Sequence, residues 1–173
     1  MLEVLVTIVI ISIGLLGLAG LQSKLQVSEM EAYQRSQALL LLDDMANRIT
    51  INRINAFNYV TDDYLGFGMD CPEAAADASL EEKDASDWCN ALQGAAEVSA
   101  GNRVGAMVGA RGCVEDIGGN EYLITIGWQG LTPVAAPPES LTCAANLYDG
   151  GAACTNDRCR RTVTTIVRIG NLS

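Results

Sequence analysis

The chain has 173 residues, 49% of them hydrophobic, with 11 basic and 21 acidic side chains, six cysteines and no histidine. That length suffices for one ordinary domain, or for a small domain with an appendage. A formal net charge of -10 argues against a nucleic-acid partner, which needs a basic patch to neutralise phosphates. It argues equally against an anionic membrane surface as an electrostatic partner. Without histidine, a Ser-His-Asp triad, a Cys-His dyad and a zinc protease centre are excluded.

From Val4 to Leu21 the chain reads VLVTIVIISIGLLGLAGL, eighteen residues without a charge. As a helix rising about 1.5 Å per residue it would be roughly 27 Å long, close to the hydrocarbon thickness of a bilayer. A secretory signal peptide would open on basic residues and carry a shorter apolar core. Here the only charge ahead of the run is Glu3, and no Lys or Arg precedes it. An ordinary single-span anchor fits the length, yet a carboxylate at the bilayer edge is costly unless something neutralises it. Glu3 does suit the positive end of a helix dipole.

The opening Met1-Leu2-Glu3-Val4-Leu5-Val6 resembles the start of mature type IV pilins and of the related type II secretion pseudopilins. In that superfamily an inner-membrane peptidase cuts after a glycine, and the new first residue, usually phenylalanine, is N-methylated. A glutamate stands fifth after the cut. The resemblance aligns Glu3 with that glutamate, and the leader, cleavage glycine and aromatic first residue are then expected ahead of Met1. Residues Ile11 to Gln22, ISIGLLGLAGLQ, resemble the PilV-type minor pilins within the superfamily. So do Leu41 to Ile49 (LLDDMANRI) with Asn52-Arg53, Tyr122 to Gly130 (YLITIGWQG), and Arg160-Arg161-Thr162-Val163. The middle, about residues 58 to 110, carries no such likeness.

The resemblance implies an α+β fold with a long N-terminal helix packed on a small antiparallel β-sheet. It implies a structural subunit of a type IV pilus, a minor pilin that initiates assembly or sits at the tip. A major pilin or a secretion pseudopilin are the alternatives within the family. Expected partners are other pilin subunits, met through the N-terminal helix, and the inner-membrane assembly machinery. The expected location is the inner membrane, crossed once, before assembly and the extracellular pilus afterwards. From a different class, the rival is a single-pass membrane-anchored adhesin or binding protein.

Between Gln22 and Phe57 there is no proline and no glycine, and helix-favouring residues dominate. Ala38, Leu42, Met45 and Ile49 follow helical spacing, while Gln37, Asp43, Asp44, Asn47 and Arg48 take other faces. One continuous helix to about Phe57 is predicted, about 85 Å if unbroken, with residues 1-22 as a membrane or filament-core half and 23-57 as an amphipathic half. The Leu39-Leu42 run is expected to pack against the head. Gly14, Gly17 and Gly20 recur every third residue. They suit close helix packing in a membrane, and they equally suit a hinge, because each costs about 1 kcal/mol relative to alanine in a helix. Filaments of the resembled family lose helicity in this region.

Residues 58-173 read as a disulfide-tied globular head. Nine carboxylates lie between Asp62 and Asp87 against Lys83 alone. They lack the alternating acids, central glycine and closing glutamate of a calcium loop, and read as solvated surface. Ser79-Leu80-Glu81-Glu82 with Ala85, Trp88 and Leu92 predicts a short helix opened by a capping box. The glycine-rich stretch from Ala100 to Gly112 reads as loop or irregular edge. Tyr122-Trp128 and Thr162-Ile169 alternate with period two and are rich in β-branched and aromatic residues, so both predict strands. A shorter strand is expected around Cys113-Val114, and Pro133 to Pro138 reads as loop.

All six cysteines, Cys71, Cys89, Cys113, Cys143, Cys154 and Cys159, follow the apolar segment. An even number on what would be the exported side points to disulfides. No C-x-x-C knuckle supports zinc, and no base is at hand to activate a nucleophilic cysteine. Six cysteines allow fifteen pairings. Chain order favours Cys71–Cys89, closing the acidic segment, then Cys113–Cys143 and the most local pair, Cys154–Cys159. Phosphate loops, nucleophile elbows and His-Glu-x-x-His are absent from the sequence. No enzymatic activity, metal or cofactor is expected. The candidate functional residues are therefore Glu3, Gly14, Gly17 and Gly20, with the cysteines as structural ties.

Overall fold

In the computed structural model, residues 2–95, 98–99, 102–103 and 107–170 are described. Helix α1 runs from Leu2 to Ile51, shorter than the sequence suggests. It stops where Asn52 leaves helical geometry, at φ -97° and ψ 38°, and a 3-10 stretch, Arg53–Tyr59, follows. The Asn52 amide donates to the Tyr59 hydroxyl at 3.1 Å and toward Glu81 at 3.4 Å. Such side-chain bonding draws asparagine to helix ends rather than interiors. Two compact units divide the chain at 1–33 and 34–173. The division falls inside α1, so its last turns belong to the head.

Those turns carry the stripe that the periodicity marked. Ala38, Leu42, Met45 and Ile49 are all buried in a cluster with Trp88, Leu92, Val114, Ile124 and Ile126. The leucine run does not pack as a block. Leu42 is buried and Leu41 is half-buried against the core, while Leu39 and Leu40 face outward. Four consecutive residues of a helix span more than a full turn, so one face cannot hold them all.

Helix α2, Leu80–Leu92, opens on the expected capping box. The Ser79 hydroxyl accepts from the Glu82 amide, and the Glu82 carboxylate accepts from the Ser79 amide at 2.9 Å. Its Trp88 is fully buried and donates from the indole nitrogen to the Leu41 carbonyl at 2.9 Å, joining α2 to α1. One acidic side chain of this region departs from the solvated reading. Asp84 is buried, and its carboxylate accepts from Arg48 at 2.6 Å and from the Tyr59 hydroxyl at 2.6 Å. A buried carboxylate persists only with such partners.

Among the described residues six strands complete the head: β1 (Leu65–Gly66), β2 (Val98–Ser99), β3 (Asn102–Arg103), β4 (Arg111–Gly118), β5 (Glu121–Gln129) and β6 (Arg160–Arg168). Strands β1, β4, β5 and β6 form one antiparallel sheet in that order, and β2 pairs with β3 separately. The fold is thus α+β, a long N-terminal helix on a small four-stranded antiparallel sheet. Strands β5 and β6 coincide with the predicted segments to within two residues. The β4–β5 turn holds Gly118, Gly119 and Asn120 at positive φ, the conformation these residue types tolerate best.

Strand β4 is longer than expected and claims Arg111 and Gly112 from the stretch read as loop. Positions 100–101 and 104–106 of that stretch lie outside the described residues. The glycine that disguised the strand has a packing reason, since a Cβ at Gly112 would clash with the Trp88 ring, 2.2 Å from its nearest carbon. Three disulfides join Cys71 to Cys89, Cys113 to Cys143 and Cys154 to Cys159, the pairs favoured by chain order. The second ties β4 to the long loop between β5 and β6. Arg160 pins the same loop, donating to the carbonyls of Leu141 and Cys143 and to Asp157 at 2.9–3.0 Å.

Candidate functional site

The first unit, 1–33, is the part of the molecule whose sequence demands something the chain itself does not provide. From Leu2 to Leu21 every residue is exposed, and thirteen of them are large aliphatic side chains. An 18-residue window of this helix has a mean hydropathy of 2.7 and no burial. Covering such side chains contributes roughly 1.5–3 kcal/mol each, so tens of kcal/mol of burial are left unrealised. That exceeds the entire stability of an ordinary domain, about 5–15 kcal/mol. The segment is long and apolar enough to cross a membrane, and stands as a candidate membrane anchor.

Local chemistry fits an apolar surrounding. The two hydroxyls within the run are turned onto the helix itself: Thr7 donates to the Val4 carbonyl at 2.9 Å and Ser12 to the Ile8 carbonyl at 2.7 Å. Neither then carries an unmet donor into hydrocarbon or a protein interface. Glu3 occupies the first helical turn and is exposed. There its charge complements the partial positive charge of the free amides at the helix start.

The helix continues unbroken through Gly14, Gly17 and Gly20. A Cβ placed on any of the three would meet nothing within 4 Å. Packing within this chain therefore makes no demand for glycine at these positions. Glu3 and the three glycines share one helix, over some four to five turns.

In the head, sequence patterns missed the cluster of Arg48, Tyr59 and Asp84. Arg48 also bonds Asp44 at 2.8 Å, one turn back on α1. Burial and the neighbouring Asp84 push the Tyr59 hydroxyl up to about 12. Only the Asp44–Arg48 spacing, four residues apart on a helix, was legible as a pair. Among the described residues no group of three or more Cys, Asp or Glu side chains is placed to hold a metal ion. Compared with protein families, curated proteins and solved structures, the chain shows no match.

Proposed function

We propose that the chain is a structural subunit of a type IV pilus-like filament, of the minor pilin kind that initiates assembly or sits at the tip. The observation that carries this is the division of α1: the residues from Leu2 to Leu21 are all exposed, while Ala38, Leu42, Met45 and Ile49 belong to the core of a disulfide-tied head. One helix thus joins an unsatisfied apolar surface to a self-sufficient domain. The likeness of the N-terminal run to the pilin superfamily supports the same reading. In it, the helix rests in the inner membrane before assembly and afterwards packs among copies in the filament core.

Glu3 supplies the mechanism. In an apolar filament core it neutralises the N-terminal ammonium of an adjacent subunit, where an unpaired charge would be heavily penalised. Replacing Glu3 by Ala leaves the head folded and stops or slows incorporation into filaments, measured as the subunit recovered in sheared filaments against the membrane fraction. Normal incorporation of that variant would overturn the role. The rival, a monomeric anchored binding protein, leaves a second observation without use. Leu40, Ile51, Ile54 and Phe57, all beyond the membrane-length run, are 64–93% exposed, and neighbouring subunits would cover such residues where a lone anchored head would not. The same shearing experiment separates the two, since the rival predicts retention in the membrane and wild-type filaments in the protein's absence.

A further inference from the structure

Among the described residues two arginines of the head are buried, and the fold treats them differently. Arg160 has the Asp157 carboxylate at 3.0 Å and two backbone carbonyls. Arg111, at the start of β4 and only 8% exposed, forms no ion pair with any carboxylate among the described residues. Its guanidinium instead sits among three aromatic rings, 4.9 Å from the centroid of Tyr64, 5.0 Å from Tyr148 and 5.4 Å from Phe67. One nitrogen donates to the Gly109 carbonyl at 3.3 Å, an oxygen that the Tyr148 hydroxyl already engages at 2.9 Å. The Nε is buried with no hydrogen-bond partner. Ring faces attract a cation but accept no strong hydrogen bond; the Tyr148 hydroxyl and the Gly109 carbonyl meet part of the guanidinium, and the Nε stays unmet.

This arginine lines a groove of about 360 Å³ whose walls include Phe67, Val108 and Leu147, each 45–55% exposed. Gln93, Met107 and Gln129 also line it. An aromatic cage of this kind would suit a cationic ligand, but here the guanidinium already fills it. The remaining complement is an anion carrying apolar surface. Among the described residues Arg111 is the only charged side chain of the lining, which matches one negative charge and not the two of a phosphate monoester.

We propose that this groove binds a carboxylate borne on an apolar group, with Arg111 as its counter-charge and Phe67, Val108 and Leu147 as its wall. The test uses the full chain, nitrogen-15 labelled and held in a mild detergent, with N-acetyl-leucine as probe and the uncharged N-acetyl-leucinamide as its match. The acid shifts the Arg111 Nε–H resonance saturably, with a Kd on the order of 1 mM, and the amide leaves it in place. Arg111→Gln, followed on the backbone amides of Val108, Gln129 and Leu147 that line the same groove, removes their saturable response to the acid. Val108→Asp, which sets a carboxylate at an exposed position of the wall, weakens binding at least about tenfold, or about 1.4 kcal/mol, with the rest of the spectrum unchanged. If Arg111→Gln does not fold, the Val108→Asp variant decides. No saturable shift with the acid, an equal shift with the amide, or undiminished binding by folded Val108→Asp would each overturn the proposal.

Discussion

At the residue scale the head is governed by a few buried polar groups and by what satisfies them. Asp84 is the clearest: its two oxygens take the Arg48 guanidinium and the Tyr59 hydroxyl, each at 2.6 Å. Burial, then the hydrogen bond to Asp84, raises the Tyr59 hydroxyl from 10.0 to about 12. The neutral phenol is therefore the form the folded head prefers. Its contribution to stability is complete below pH 10 and is lost as pH climbs through about 12. Urea midpoints of the full chain in detergent should fall over that window. Tyr122 and Tyr148 are also raised, chiefly by burial, so Tyr59→Phe should flatten the fall in part. An identical pH profile in Tyr59→Phe would show that Tyr59 does not titrate in this way. Nothing in the sequence pairs Tyr59 with Asp84, because they are 25 positions apart and fall in segments of different character.

Between elements, the decisive contact is α2 against β4. The six-membered ring of Trp88 lies so close to Gly112 that a Cβ there would be 2.2–2.8 Å from three of its carbons, and glycine leaves the room the indole needs. Gly112→Ala should destabilise the head by about 3 kcal/mol, since a methyl forced into a packed core displaces either ring or strand. Urea unfolding followed by the Trp88 environment checks this, with loss of near-ultraviolet dichroism expected alongside the lower midpoint. A cost under about 0.5 kcal/mol, the usual size for a surface change, would mean the ring has room to move. The elements most legible in the sequence were those with a strong period and clear ends: α1's buried stripe, α2 with its capping box, and strands β5 and β6. Strand β4 was blurred because Gly112, Glu115, Asp116 and Gly118 break the alternation, although its pairing with β5 supplies the missing order.

For the whole molecule, stability is divided between a hydrophobic core and three covalent ties. The unfolded-chain entropy argument gives about 4 kcal/mol for a loop the size of Cys113–Cys143 and about 2 kcal/mol for one the size of Cys154–Cys159, whose separations are 30 and 5 residues. Cys113→Ala with Cys143→Ala should therefore lower the urea midpoint more than the Cys154→Ala, Cys159→Ala pair, the reverse order arguing against that account. By itself the sequence determined the apolar run with its early carboxylate, the helical stripe below it, the fold class and the oxidised state expected of six late cysteines. These follow from composition and short-range spacing, which act along the chain, and the fold class also from the likeness to the pilin superfamily. Tertiary structure alone decided where α1 leaves the head's core, which of the four leucines face inward, and that Asp84 is buried. It alone brought Tyr64, Phe67 and Tyr148 around Arg111. Those outcomes depend on contacts between residues far apart in sequence, and the burial that gives each its energy exists only once the chain has closed upon itself.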